Sequence, residues 1–200
     1  MALNISSDLV PQVINDYNAY TEDDLLIGLA DEVTLPKIKN KTTSVSGMGI
    51  AGEVDSPVPG QFESMEATLN WNTMYSFATK MMNPNKNIQI ALRAAMQNDN
   101  KNGGYTYKGL RVVLGGRPKE LDPGKLKRAD TMGSTTTLEV TRYLMEVDGT
   151  TVIDIDKFAG RYYVDGEDIH IVRFDSGTVL STPALPAEKS GDLPPWKAGA

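Results

Sequence analysis

Cysteine is absent from all 200 residues, and histidine occurs once, at His170. The first absence removes disulfides, thiol nucleophiles and every cysteine-based zinc or iron–sulfur site. The second leaves a single subunit unable to assemble a multi-histidine metal site or a histidine pair. Long apolar runs are missing too. Nothing approaches the roughly 18 continuous apolar residues of a membrane-spanning helix, so no membrane insertion by this chain is expected. The first residues, MALNISSDLVPQ, carry neither the basic cluster nor the apolar run of a secretory signal, which predicts synthesis in the cytoplasm. Positive charge is undersupplied: 20 Lys and Arg stand against 26 Asp and Glu, a formal net charge of −6. That balance argues against a protein that grips nucleic-acid phosphates, because such affinity comes from clustered Lys and Arg.

What is present suits one folded domain. Apolar content of 40 % and charged content of 23 % are ordinary for a chain that buries a core. The charges are unevenly placed. Asp16, Glu22, Asp23, Asp24, Asp31 and Glu32 form an acidic stretch without Lys or Arg, whereas Arg117, Lys119, Lys125, Lys127 and Arg128 outnumber Glu120 and Asp122. Two opposite patches on one small protein point to head-to-tail contacts between copies.

Most of the chain reads as β. Ile88, Ile90, Leu92, Ala94 and Met96 share one face while Gln89, Arg93 and Gln97 mark the other, the period of a half-buried strand. Asn102-Gly103-Gly104 then supplies a turn, and 105–114 reads as the return strand. Met65, Ala67, Leu69 and Trp71 alternate in the same way. A second hairpin runs over 135–147, the two-residue turn Asp148-Gly149 and 150–155. Its apolar phase slips between Val140 and Tyr143, which predicts a bulge near Arg142. One segment changes to helical period: Met74, Phe77, Ala78 and Met81 make a single stripe, with Asn72 or Thr73 as cap and Asn83-Pro84 as stop. Residues 40–61, rich in Ser, Gly and Pro, read as weakly structured, with a Gly/Pro-rich loop at about 46–60. The expected organisation is a β domain over 1–172 and an extended or disordered arm over 173–200, where Pro183, Pro186, Pro194 and Pro195 interrupt any periodicity.

Several motifs invite a chemical reading and do not sustain it. Gly47 to Gly52 matches G-x-G-x-x-G, but a dinucleotide site needs a helix next, and Glu53-Val54-Asp55-Ser56-Pro57-Val58-Pro59 is incompatible with one. Asp154 and Asp156 share a face on a strand, as metal ligands do, yet the same alternation describes any wet sheet face. His170 has no partner histidine and no nucleophile elbow near it. Asn4-Ile5-Ser6 and Asn40-Lys41-Thr42 are chance glycosylation matches in a chain without a secretory signal. No cofactor, no metal and no catalytic residue is expected.

A resemblance organises the rest. Glu32-Val33-Thr34-Leu35-Pro36-Lys37, the glycine loop Ser46-Gly47-Met48-Gly49 to Gly60, and the strand from Glu63 to Trp71 resemble the first part of the major tail tube protein family of contractile-tailed bacteriophages. The second half agrees in order: Leu114-Gly115-Gly116-Arg117-Pro118-Lys119-Glu120-Leu121-Asp122, then Thr136 to Tyr143, Leu144 to Gly149, and Ile153-Asp154-Ile155-Asp156. The likeness covers roughly 15–170. The 83–104 region looks longer than usual, and the tail after about Val172 does not match.

This resemblance implies a mainly β fold of two packed antiparallel sheets, a sandwich or open barrel, with one flanking α-helix. It implies a structural protein of the virion tail, not an enzyme, whose hexameric rings stack into a tube. The partners implied are other copies of the chain, the tail sheath protein, and the baseplate and tail terminator proteins, with DNA only transiently in the lumen. Gly47, Met48, Gly49 and Val54, with Arg117, Lys119, Lys125, Lys127 and Arg128, are the residues expected at ring contacts. The acids of 16–32 are expected on the complementary surface or the lumen. Alternatives are the tube of a headless phage-tail-like bacteriocin, a more distant secretion tube, and, in another class, a soluble β-sandwich module that binds a ligand.

Overall fold

A computed structural model describes residues 9–21, 25–26, 29–74, 79, 81–169, 173–175 and 178–180. The strands are β1 (Leu9–Tyr20), β2 (Leu29–Thr34), β3 (Asn40–Val45), β4 (Val54–Phe62), β5 (Glu66–Trp71), β6 (Ile88–Asn100) and β7 (Tyr105–Asp122). They continue with β8 (Ser134–Val147), β9 (Thr150–Asp156), β10 (Arg161–Val164), β11 (Glu167–Asp168), β12 (Arg173–Asp175) and β13 (Thr178–Leu180). Nine join in one antiparallel sheet, in the order β1-β6-β7-β8-β9-β10-β11, with β5 added beside β8 and β2 beside β5.

That sheet acts as two, because β7 and β8 each change partner along their length. β7 pairs with β6 from Tyr105 to Gly116 and with β8 from Leu110 to Asp122. The first half of β8 lies between β7 and β5, and its second half between β7 and β9. One layer is therefore β2-β5-β8-β7, and the other runs from β1 through β6, β7 and β8 to β11. Their inner faces share one core. Met65, Ala67, Leu69 and Trp71 meet Ile90, Leu92, Leu114, Leu138, Val140, Tyr143 and Ile155 there. The alternating residues read as core-facing in 65–71 and 88–96 face it, and each fully buried aliphatic contributes about 1.5–3 kcal/mol. The two polar tips in this group have partners: the Trp71 indole N–H donates to the Thr136 hydroxyl at 3.1 Å, and the Tyr143 hydroxyl donates to the Met145 sulfur at 3.9 Å.

The partner change coincides with a bulge. Gly115 faces Arg142 and Gly116 faces Val140, which leaves Thr141 as an extra residue on β8. Before it Ser134, Thr136, Leu138 and Val140 are buried; after it Tyr143 is. The inward set moves by one position, as the phase slip in the sequence predicts. Two turns also follow sequence chemistry. Asp148-Gly149, with φ of 52° and 76°, closes the β8–β9 hairpin in the left-handed region that a two-residue turn requires. Asp165-Gly166, with φ of 48° and 89°, does the same between β10 and β11.

Three expectations need correction or restriction. Residues 40–61 are not weakly structured: β3 and β4 form a hairpin with register from Asn40↔Phe62 to Val45↔Val54, and only 46–53 form its loop. Pro57 and Pro59 do not prevent this because β4 has a strand on one side alone among the described residues, and proline is tolerated on such an edge. The expected helix falls largely on 75–78 and 80, which lie outside the described residues; Met81 at its end is buried in the core. In the C-terminal arm, β12 and β13 pair with each other, and residues 181–200 lie outside the described set.

Gly116 is where the layers depend on a small residue. A methyl group there would overlap the Glu139 carbonyl oxygen of β8, a backbone atom with nowhere to move. Gly116→Ala is expected to cost about 1–3 kcal/mol of stability in urea unfolding, as overpacking does. Gly47→Ala, which would meet nothing within 4 Å, should change stability by less than about 0.5 kcal/mol. Equal midpoints for the two variants would show that the bend does not need this close approach.

Candidate functional site

The first group of expected contact residues sits on the β3–β4 hairpin. These two strands pair with each other and with no third strand among the described residues. The hairpin is held at its base, where Phe62 packs edge-on against Tyr162 with ring centroids 4.9 Å apart. There too the Lys39 ammonium contacts the Glu63 carboxylate at 3.0 Å. Beyond that base its apolar residues face water: Val45, Met48, Ile50 and Val54 are all exposed. Gly49 and Gly52 take positive φ of 92° and 108°, which lets the loop turn tightly around Ile50 and Ala51. The hairpin's charge is purely acidic near the tip. Glu53 accepts a hydrogen bond from Ser44, Asp55 is exposed, and no Lys or Arg occurs from 42 to 79. The glycine motif is followed by a strand, so no helix N-terminus is present to take a phosphate.

The second group lies on the end of β7 and the 123–133 connection to β8. Its five bases are not equivalent. Lys119 is the extra residue of a bulge between Pro118 and Glu120, and its ammonium pairs with Glu66. A hydrogen bond from that ammonium to Glu66 raises the Lys119 pKa above its ordinary value. Lys127 contacts Asp130 at 2.7 Å, and the hydrogen bond from Lys127 holds the Asp130 carboxyl below its ordinary value. Arg117, Lys125 and Arg128 are exposed and have no carboxylate partner among the described residues. The sequence reading did not single out Leu126, which is 90 % exposed between Lys125 and Lys127. Its only signal in the sequence is an aliphatic side chain inside a basic loop.

Of the acidic stretch, Asp16 and Glu32 are exposed on β1 and β2; Glu22, Asp23 and Asp24 lie outside the described residues, as does the Asp31 side chain. Among the described residues, neither the acidic stretch nor the hairpin forms an ion pair with the basic loop. Asp154 is 4 % exposed and sits between Arg142 (2.6 Å) and Arg161 (3.2 Å), an ion-paired network that ties β8, β9 and β10 together. Its carboxylate is thus occupied by guanidinium groups. No group of three or more His, Asp or Glu close enough to hold a metal occurs among the described residues. His170 lies outside them.

Among the described residues, the features that stand out are a hairpin paired with no third strand and carrying apolar side chains in water, and three cations without a carboxylate partner. A model of the family described as phage tail tube protein FII matches residues 11–171, and the chain belongs to that family. It is 24 % identical over 171 residues to the major tail tube protein of Serratia phage KSP20, covering 86 % of this chain and 98 % of that protein. It is 26 % identical over 168 residues to the tail tube protein of Escherichia phage P2, covering 80 % and 92 % respectively. A solved structure of the sheath/tube terminator of an extracellular contractile injection system, PVC, superimposes with a TM-score of 0.48 at 15 % identity, covering 68 % of this chain and 96 % of that one.

One carboxylate near the layer junction responds to acid. Burial alone would raise the Glu139 carboxyl, but hydrogen bonds from Ser64 and Lys157, with the Lys157 charge 3.3 Å away, outweigh it and bring the pKa below the ordinary 4.5. A lowered native pKa contributes stability that is complete above the unfolded value and lost as pH falls through the native one. Urea unfolding measured against pH should therefore show stability declining below pH 4.5. Glu139→Gln should make that decline shallower; an unchanged profile would show that this carboxylate does not carry the effect.

Proposed function

We propose that this chain is the structural subunit of the inner tube of a contractile phage tail. Six copies form a ring, rings stack into a hollow tube inside the sheath, and the lumen conducts DNA into the host. The observation that carries the reading is the β3–β4 hairpin. A two-stranded ribbon with Val45, Met48, Ile50 and Val54 in water is marginal by itself and gains stability only when its apolar side is covered. Gly47, Met48, Gly49 and Val54 are accordingly assigned to the contact with a neighbouring copy, and Arg117, Lys125 and Arg128 to the charged part of ring stacking.

Further physics supports an assembly of this kind. Apart from the Tyr20–Leu25 bridge at its end, β1 pairs with β6 alone among the described residues, an edge that a neighbouring sheet can close. Stacking joins unlike surfaces and does not close on itself, so it yields a filament. A net charge of −6 suits a lumen that repels phosphate and lets DNA slide. The sheath, baseplate and terminator proteins are the remaining partners in this reading, and the virion tail is its place.

Negative-stain electron microscopy of the purified protein over a concentration series tests it. Rings or hollow tubes with six-fold end views are expected. With Lys125, Lys127 and Arg128 all changed to Glu, tubes should fail to form while the subunit stays folded. Unaltered tubes from that variant would remove the basic loop from ring stacking.

A further inference from the structure

A cleft of about 300 Å³ opens between the two layers at the end where β2 does not fully cover β1, β6 and β7. Ile14, Tyr17, Val33, Leu35 and Leu110 line it, and Glu32 is the one charged side chain along the wall among the described residues. Ile14 is 54 % exposed and Leu35 37 %, so the fold leaves apolar surface there unfilled. Elsewhere on the same molecule stands the complementary shape: Leu126, 90 % exposed, flanked by Lys125 and Arg128, neither with a carboxylate partner among the described residues. Because Leu126 faces water, it does not occupy its own cleft.

We propose that the β7–β8 loop of one copy docks into this cleft of a second copy, with Leu126 inserted against the apolar wall and Lys125 and Arg128 set beside Glu32. The proposal rests on the tube reading above and names the surface that receives the basic loop. Three apolar side chains stand out most from the surface among the described residues, Met48, Leu126 and Phe158, and charge decides among them. Phe158 lies between Asp156 and Ala159, next to Lys157, whose ammonium is already held by Glu139. The hairpin tip also offers an aliphatic side chain in Met48, but it brings Glu53 and Asp55 and no base, so it would place like charges against Glu32. The basic loop brings opposite charge. Knob and cleft are different surfaces of one chain, so each copy can give one contact and receive one, and the contact propagates.

The absence of native cysteine allows a direct test. Full-length L126C and I14C are prepared separately, mixed and treated with a short bismaleimide, and cross-linked dimer is read on a denaturing gel. Dimer is expected from the mixture and only traces from either variant alone. Adding Lys125→Glu and Arg128→Glu to the Leu126→Cys chain should abolish it, and Glu32→Lys in the Ile14→Cys chain should restore it. Cross-linking of L126C to M48C instead of I14C would overturn the proposal by assigning the loop to the hairpin. Tubes visible by microscopy with no L126C–I14C product would overturn it while leaving the tube reading intact. Cross-linked dimer without tubes would uphold the contact and count against the tube.

Discussion

Two long strands hold this molecule together, and at one point their packing leaves no room for a side chain. At Gly116 the chain of β7 lies against the Glu139 carbonyl of β8, and Thr141 is left over as the extra residue. The extra residue reverses which face of β8 points inward, so Leu138 and Val140 serve the core before it and Tyr143 after it. One pair of strands thereby contributes to two layers, and Met65, Leu69, Trp71, Ile90, Leu114 and Ile155 fall into a single core instead of two half-cores. Bulges raise local twist and bend the strand that carries them, which is the geometry a sheet needs to fold back on itself. The Arg142–Asp154–Arg161 network lies just past the bend. Ion pairs taken out of water are weak contributors to stability, so its importance is to hold β8, β9 and β10 in one register.

From that frame the outward features follow. A rigid double-layered body presents β1 as a free edge, the β3–β4 hairpin as a ribbon anchored at Phe62, and the 123–133 loop as a basic surface. Among the described residues, most of β1 has no second neighbour, the hairpin has no third strand, and Lys125 and Arg128 of the loop have no carboxylate partner. The hairpin carries carboxylates, the loop carries cations, and both carry aliphatic side chains in water, which is an unfavourable arrangement for a protein meant to stay alone. Copies that place one surface against another remove exposed apolar area and pair charge at once. In the proposed tube, the same asymmetry of surfaces makes assembly directional.

Much of this was legible in the sequence, for identifiable reasons. β6, β8 and β9 were readable because half-buried strands alternate, as in Ile88-Ile90-Leu92, and because Asp148-Gly149 can hardly be anything but a tight turn. The bulge was readable because Val140 and Tyr143 break that alternation. β1 was not readable: Pro11 and two register shifts, around Gln12 and Asn15, scramble its period. β4 was hidden by Pro57, Pro59 and Gly60, residues that discourage a strand unless it has a free edge. Of the candidate site, charge was visible and its distribution was not. The pairing of Lys119 with Glu66, 53 residues away, cannot be read from a run of bases. Leu126 has no periodicity around it, and the cleft is made by side chains from Ile14 to Val112, which only the fold brings together.

The central claim is that the subunit leaves surfaces incomplete that other copies complete. Amide hydrogen exchange, compared between dissociated subunits and the assembled state, tests this most directly, because each ladder of the fold reports separately. The account predicts that amides of β6, β7 and β8 are protected in both states. Those of the β3–β4 hairpin should exchange quickly in the free subunit and become protected on assembly. A hairpin as well protected in the free subunit as the central strands, or equally unprotected in the assembly, would contradict it.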